Sequence, residues 1–344
     1  GYSYIMTGCP ATNLIISAYQ KNMLTRTDPQ KAYEAMVRNH EPGGMIGPEK
    51  EIAFYIRNGY YPGNAGITIE AAFQDWALSQ MAADMGKKKD ASYYLKRSRG
   101  WTKLFNPEQG LLFPKDEKGE WVTLDPLSNR GWVEANAWQA TWGLSHDIPR
   151  LARLMGGNDR LCEKLNSAFE QSEKDDFVFG YGSGFVSYAN QPGCSNAHLF
   201  NLAGQPWLSQ YWVRKVGAQA YGAITPDRGY GGHDEDQGQM GGVSALMALG
   251  LFSVQGTSSQ NPSYELTSPL FDEIIIRLNP AYYEGEEFRI RTYHNSPDNC
   301  FIRKARLNGK EHNSYQIDHK DFRAGGLLEI WLDAEPNKEW GIGD

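Results

Sequence analysis

The sequence lacks the signals of several common classes of protein. Its 344 residues carry a net charge of −7 with no basic run, so nucleic acid and anionic membranes are poor partners. No stretch approaches the roughly 18 apolar residues that cross a bilayer, and we expect no membrane span. The chain opens with GYSYIMTGCP, which has neither the charged nor the apolar region of a signal peptide.

Cysteine is scarce, and aromatic residues are abundant. The four cysteines form no CxxC pair, which argues against a zinc ribbon or a thioredoxin-type site. We expect free thiols, with one or two disulfides as the alternative. The histidines show no zinc spacing either. Aromatic residues make up 12% of the chain, with 10 Trp and 19 Tyr. Such residues serve as stacking platforms in sugar-binding clefts, but they also fill large cores.

Two regions of the chain differ in their hydrophobic period. Residues 1–255 predict eight or nine helices joined by long loops, without a strand; one helix begins at Asp28-Pro29, an N-cap followed by proline. From about residue 262 short apolar or alternating runs predict strands, and Asn308-Gly309 predicts a hairpin turn. We expect a helical domain over residues 1–258 and a β-sandwich-like domain over residues 259–344. The helical array suggests a toroid, although a solenoid fits the same helix count.

The densest group of acidic residues lies in GGHDEDQGQMGG. In an extended loop Asp234 and Asp236 point to the same side, while Glu235 points to the other. This pattern favours the two aspartates as a general base that shares a catalytic water or a metal. A solvated charge run, or acids at a helix N-terminus, explains the cluster about as well.

A second candidate is Glu134 in GWVEANAWQATW, among Trp132, Trp138 and Trp142. A carboxylate among aromatic rings loses hydration, which disfavours its charged form and suits a general acid. We place the segment on a helix that continues to Gly157. A surface glutamate on an amphipathic helix is the simpler alternative.

A third candidate is a polar loop in SYANQPGCSNAHLFNLAGQPW, which leads into a helix. Its Asn190, Gln191, Asn196 and His198 side chains could bind sugar hydroxyls, and the amide oxygens a hard cation such as calcium. A loop that only caps the helix is the alternative.

Taken together, these segments resemble glycoside hydrolase family 92, the calcium-dependent exo-α-mannosidases. The resemblance runs nearly end to end and rests on the order of AFQDWALSQMAADMG, VEANAWQATW, NLAGQPWLSQYWVRK, DEDQGQM, TSPLF and LNGKEHNSYQIDHKDFRAGGLLEIW. It implies a mainly α chain with β, namely a partial (α/α)6 toroid followed by a small C-terminal β-domain. It also implies a secreted or periplasmic enzyme that removes terminal α-linked mannose from glycans.

The resemblance assigns roles to individual residues. Glu134 becomes the general acid and Asp234 with Asp236 the general base of an inverting hydrolysis. Calcium is the implied cofactor, with Gln191 and Asp236 as ligands. The implied substrate-binding residues are Trp138, Tyr188, Asn190 and His198.

The sequence also departs from the family pattern. Asn190-Gln191-Pro192 replaces the usual Asn-Glu-Pro, which removes a carboxylate from the expected calcium neighbourhood. Tyr188-Ala189 replaces a His-Glu pair that favours α-1,2 linkages, and Gly241-Gly242-Val243 replaces a small-small-Trp wall. The family's N-terminal β-sandwich and first barrel helices have no counterpart, so we expect a fragment that needs this portion as a partner. A non-catalytic, glycan-binding relative is the alternative function, and another toroid carbohydrate enzyme fits the motifs less well.

Overall fold

The structure is a computed structural model that describes residues 8–180, 182–225 and 238–342. Contacts between Cα atoms group the chain into two compact units. The first comprises residues 1–147, 181–185 and 255–262, and the second comprises residues 148–180, 186–254 and 263–344. The division at residue 258 follows secondary structure rather than these contacts, and it stays a prediction.

Helices occupy most of the described chain up to residue 249. Nine of the described α-helices have eight or more residues before that point, in agreement with the predicted eight or nine. None of the described helices is long and apolar enough to cross a membrane. The helices are α1 (Ala11–Gln20), α2 (Pro29–Asn39), α3 (Glu49–Asn58), α4 (Ala65–Asp84), α5 (Lys88–Arg97), α6 (Ala137–Ala140), α7 (Ile148–Met155), α8 (Asn158–Ser172), α9 (Leu199–Leu202), α10 (Pro206–Ala220), α11 (Gln239–Leu249) and α12 (His319–Arg323).

The strands lie mainly after residue 250, as predicted. The expectation of no strand before residue 255 is wrong, because three two-residue strands occur there. Pairs this short have no periodicity that a sequence could reveal. The strands are β1 (Phe105–Asn106), β2 (Leu111–Leu112), β3 (Leu251–Phe252), β4 (Ser263–Leu266), β5 (Glu273–Arg277), β6 (Glu287–Tyr293), β7 (Phe301–Leu307), β8 (Lys310–Glu311), β9 (Gln316–Asp318) and β10 (Gly326–Asp333).

Local sequence explains the ends of several elements. Asp28 caps α2, since its side chain accepts a hydrogen bond from the Gln30 amide at 2.9 Å, and Pro29 occupies the first turn. Asn308 and Gly309 both have positive φ, +52° and +78°, as the tight turn between β7 and β8 requires. Both predictions are confirmed.

The strands of the second unit form two sheets over a common core. The larger sheet has the order β5-β6-β10-β7-β8, and the smaller has the order β3-β4-β9. All neighbours are antiparallel except β10 and β6, which are parallel. Buried residues of both sheets share one cluster, which includes Leu251, Leu266, Ile290, Ile302, Ile317 and Ile330.

The helix predicted from Gly131 to Gly157 is wrong. Only α6, a 3-10 turn at Thr141–Gly143, and α7 form there. Glu134 has a left-handed backbone, and the following Asn136 is extended as the N-cap of α6, so the helix starts after both. Glu134 therefore lies on a loop.

A buried carboxylate connects the helices of the first unit. Asp75 on α4 accepts hydrogen bonds from Arg97 Nε at 2.6 Å and from the Tyr55 hydroxyl at 2.7 Å, and it also contacts His40 Nδ1 at 3.3 Å. His40 Nε2 in turn contacts the Thr12 hydroxyl at 3.0 Å. Burial alone would raise the pKa of Asp75, but the Arg97 charge and the hydrogen bonds from His40 and Arg97 hold it below its usual value. We call these five residues the Asp75 network.

We expect Asp75→Asn to lower the free energy of unfolding by about 3–5 kcal/mol, because it removes the buried countercharge of Arg97 and leaves only Glu41, whose side chain is 38% exposed. Urea denaturation of the wild-type and variant proteins measures the loss. The control is Glu163→Gln, which removes the partner of Arg160 in a pair whose side chains are 66% and 72% exposed. Such a pair contributes about 0–1 kcal/mol. Equal losses in the two variants would contradict the role given to Asp75.

Candidate active site

Glu134 has an unusual backbone. Its φ is +52°, in a region that non-glycine residues enter only at a cost of roughly 1–2 kcal/mol. The side chain is half-buried and lies three residues before α6. Strained residues of this kind persist where surrounding structure holds them, and they concentrate at functional sites.

The structure that holds Glu134 centres on Asn136. Its Oδ1 accepts a hydrogen bond from the Gln139 amide at 3.0 Å and caps α6. Its Nδ2 donates to the carbonyl oxygens of Gly182 at 3.0 Å and Gly184 at 2.9 Å. The Gln139 side chain donates to the Ser183 carbonyl between them. Two side chains thus fix the loop that carries Glu134 to the segment 182–185.

Close packing supports the same arrangement. A Cβ atom on Gly182 would lie 3.0 Å from the Ala135 carbonyl oxygen, and Gly182 has a φ of +72°, so the position favours glycine. Trp138 packs edge-on against Phe185, with ring centroids 5.3 Å apart. The buried indole N–H of Trp132 has no hydrogen-bond partner among the described residues. A buried donor of this kind indicates an acceptor such as water or a ligand.

The second unit carries the predicted polar loop, and it leads into a helix as expected. Tyr188 is fully buried; its hydroxyl accepts a hydrogen bond from the Ala197 amide at 2.9 Å, and burial raises its pKa. Asn190 is buried and caps the 3-10 turn Gln191–Gly193 by accepting from the Gln191 amide at 3.0 Å. Both side chains support the loop conformation, and their roles toward a substrate stay predictions.

Beyond this turn, three buried polar side chains lack partners. Both polar atoms of Asn196, His198 and Asn201 are buried and make no hydrogen bond within the described residues. The His198 ring stacks on Phe252 at 4.1 Å between centroids. Burial lowers the pKa of His198 to about 3, so its imidazole is neutral at physiological pH. Asn201 is a residue that sequence reasoning missed, since an asparagine entering a helix gives no signal of burial.

The two predicted aspartates precede helix α11. Asp234 and Asp236 lie outside the residues that the structure describes, and their roles stay predictions. The apolar helix predicted after them is present as α11, which begins after Gly238 at a φ of +102°. Glu134 and Trp138 belong to the first unit, and the residues of the polar loop belong to the second.

The polar loop provides an incomplete donor set for calcium. Calcium binds six to eight oxygen atoms, among which carboxylates supply the charge. The described loop offers neutral amide oxygens, including those of Gln191, Asn196 and Asn201. Among the described residues, no group of three or more His, Cys, Asp or Glu could hold a metal. These donors are oxygen atoms, as calcium prefers, but they carry no negative charge.

Comparison with known proteins identifies the relatives of this chain. The model of the glycosyl hydrolase family 92 catalytic domain matches residues 1–334. A protein named as an uncharacterized secreted glycosidase from Arthroderma benhamiae is 25% identical over 99% of this chain and 46% of its own. The chain spans about half the length of this curated relative.

Solved structures give the same result. An inverting mannosidase of family 92 from Bacteroides thetaiotaomicron is 29% identical, with a TM-score of 0.84 over 100% of this chain and 48% of its own. An α-mannosidase of the same family and organism is 23% identical, with a TM-score of 0.86 over 99% of this chain and 44% of its own. The second likeness concerns the fold alone.

The buried neutral imidazole predicts a pH effect. Because the unfolded His198 side chain titrates near 6.5 and the folded one near 3, the unfolded state binds more protons between these values. This contribution to stability is present above about pH 6.5 and is lost as pH falls, by about 1.4 kcal/mol per unit. Between pH 7 and pH 5 the wild-type protein should therefore lose about 2 kcal/mol more than His198→Phe, which keeps a ring against Phe252.

Urea denaturation at the two pH values measures this difference, since other buried groups titrate alike in both proteins. The control compares the same two proteins between pH 7 and about pH 8.5, above both pKa values of His198, where their stabilities should change alike. A His198→Phe variant that keeps the wild-type loss between pH 7 and pH 5 would show that His198 is not buried as a neutral ring.

Proposed function

The chain belongs to glycosyl hydrolase family 92, and we propose that it is part of an exo-acting α-mannosidase that removes terminal α-linked mannose from glycans with inversion. The match of the family model over residues 1–334, which includes VEANAWQ and DEDQG, carries this proposal. The 29% identical relative, which is named an inverting mannosidase, supports the substrate and the stereochemistry. We also propose that the helices form part of an (α/α)6 toroid.

Glu134 is the proposed general acid. It would protonate the leaving-group oxygen as the glycosidic bond breaks. Two features support the assignment: its strained backbone, and the hydrogen bonds by which Asn136 and Gln139 hold its loop. A proton donor must keep one position toward the scissile bond, and a loop fixed in this way limits its movement.

Asp234 and Asp236 are the proposed general base. They would activate a water molecule on the opposite face of the sugar ring. Inverting enzymes hold acid and base roughly 6.5–9.5 Å apart so that this water fits. Their two-residue spacing supports their acting as a pair, since an extended segment would direct both carboxylates to one side.

The proposed substrate-binding residues are Trp138, Tyr188, Asn190 and His198. A neutral imidazole both donates and accepts a hydrogen bond, as sugar hydroxyls do. The partnerless atoms of His198, Asn196 and Asn201 would each be satisfied by hydroxyl groups or by water. Trp138 offers an aromatic ring in the same unit as Glu134.

Calcium is the proposed cofactor, with Gln191 and Asp236 as ligands. When bound, it would hold sugar hydroxyls and help to distort the ring. Gln191 brings an oxygen without charge, so we propose a weak site. The proposed protonation of the leaving-group oxygen by Glu134 does not require the calcium ion.

We further propose a secreted or periplasmic enzyme, since the relative from Arthroderma benhamiae is named a secreted glycosidase. Because the chain spans about half of its relatives' length, the proposed partner is the remaining portion of a longer protein. A non-catalytic glycan-binding protein is the second candidate, which the neutral Gln191 favours.

The assignment of the acid predicts a dependence on the leaving group. In the full-length protein, Glu134→Gln should lower kcat on a mannosyl disaccharide by about 10²–10⁴-fold, because the alkoxide leaving group needs a proton. It should lower kcat far less on an aryl mannoside whose phenolate leaves unaided. Steady-state kinetics on both substrates measures the difference.

The matched control is Asp236→Asn, which should lower kcat on both substrates, since neither relieves the need to activate water. Equal losses on both substrates in Glu134→Gln would remove Glu134 as the acid. Mannose binding without turnover in the wild-type full-length protein would favour the non-catalytic alternative.

The calcium proposal predicts that Gln191→Glu binds calcium at least about tenfold more tightly than the wild-type protein, because a carboxylate adds charge to the site. Titration calorimetry in the full-length protein measures the affinity. The control is Gln171→Glu, which adds the same charge at an exposed position of α8. An equal gain in both variants would contradict a ligand role for Gln191.

A further inference from the structure

A cavity of about 350 Å³ opens on the first unit, beside the C-terminal ends of α3 and α5. Five cationic residues line it, namely Arg57, Lys96, Arg97, Arg99 and Lys103. The described lining contains no acidic residue, although the whole chain carries a net charge of −7. The lining of this cavity is therefore positively charged, although the net charge of the chain is negative.

Most of this charge is uncompensated. Arg97 pairs with the buried Asp75 and with Glu41, whose carboxylate lies 3.2 Å from Nη1, and the Arg97 side chain is 5% exposed. The other four side chains are exposed. Lys96, Arg99 and Lys103 make no side-chain hydrogen bond or ion pair within the described residues. Like charges gathered in this way repel one another by roughly 1 kcal/mol per close pair in water.

The fold itself brings these cations together. A Cβ atom on Gly100 would lie 2.2 Å from the Gly59 carbonyl oxygen, so the two backbones are in direct contact. Gly59 ends α3 with a φ of +83°, directly after the turn that carries Arg57. Gly100 begins the 3-10 turn that carries Lys103. Two separate basic segments thus meet at a contact that only glycine permits.

Helix ends explain only part of the charge. Arg57 lies in the last turn of α3, and Lys96 and Arg97 lie in the last turn of α5, where cations interact favourably with the helix dipole. Lys103 lies in the last turn of the short 3-10 helix Gly100–Leu104, and only Arg99, before that helix, has no such explanation. The convergence of these residues on one cavity needs another reason.

We propose that this cavity binds a phosphate or sulfate group, either as the free ion or as an ester on a sugar. A doubly charged anion would relieve the repulsion among the four exposed cations, and Lys and Arg are the residues that bind such groups. Asn58 and Thr102 add neutral polar groups to the lining. The volume is near the lower end of the range for small-ligand sites, which suits one anionic group with a sugar ring. The site is independent of the proposed mannosidase activity.

Titration calorimetry at low ionic strength tests this site with inorganic phosphate, inorganic sulfate, a hexose phosphate and the neutral hexose. We expect at least one anion to bind with a Kd of about 1 mM or tighter, and the neutral hexose not to bind. The double variant Lys96→Gln with Arg99→Gln should weaken binding by about tenfold or more. Added salt should weaken it too, because the contacts are electrostatic.

The charge-matched control is Lys118→Gln with Lys310→Gln, two exposed lysines outside the cavity lining. It should keep the wild-type affinity. Tighter binding of the hexose phosphate than of inorganic phosphate would identify the ester as the ligand, and equal binding would identify the free ion. The proposal would be overturned by equal weakening in both double variants, or by the absence of any anion that binds with a Kd of about 1 mM or tighter.

Discussion

The buried ion pair between Asp75 and Arg97 constrains the whole helical core of the first unit. Two charges removed from water are stable only when every partner is in place, because their mutual attraction barely exceeds the desolvation cost. Here the partners come from α1, α3 and the end of α2 as well as from α4 and α5. Thr12, His40 and Asp75 have the hydrogen-bond order of a hydrolytic triad, yet all three are buried away from solvent. The arrangement therefore serves packing, and it also fixes Arg97 where that residue lines the basic cavity.

Strained backbones and buried polar atoms without partners occur at many places in the described residues, and some of them lie at the predicted site. Glu134 keeps a left-handed backbone that a glycine would adopt without strain. In the second unit, three polar side chains between residues 196 and 201 are buried without partners in the described structure. Proteins tolerate such costs mainly where function requires them. The hydrogen bonds of Asn136 hold the backbone near Glu134, and stacking on Phe252 holds the ring of His198.

Much of the secondary structure could be predicted from the sequence, because its causes are local. The N-cap at Asp28, the Asn308-Gly309 turn and the alternation in β6 each lie within a few residues of the structure they determine. The helix predicted around Glu134 is wrong for a local reason. The helical spacing of apolar residues continues through Glu134, and a glutamate gives no sign in the sequence that its φ will be positive. The Asp75 network and the contact of Gly59 with Gly100 join residues about 20 to 40 positions apart, and no periodicity in the sequence reveals such contacts.

The chemistry of the polar loop distinguishes between a metal and a sugar as its ligand. A cation uses only acceptors, so it would leave the amide N–H groups of Asn196 and Asn201 and the N–H of His198 unsatisfied. A hydroxyl group donates and accepts at once, and it matches a neutral imidazole and two amides without adding charge to a buried place. These three residues therefore suit a sugar hydroxyl or water better than a metal ion.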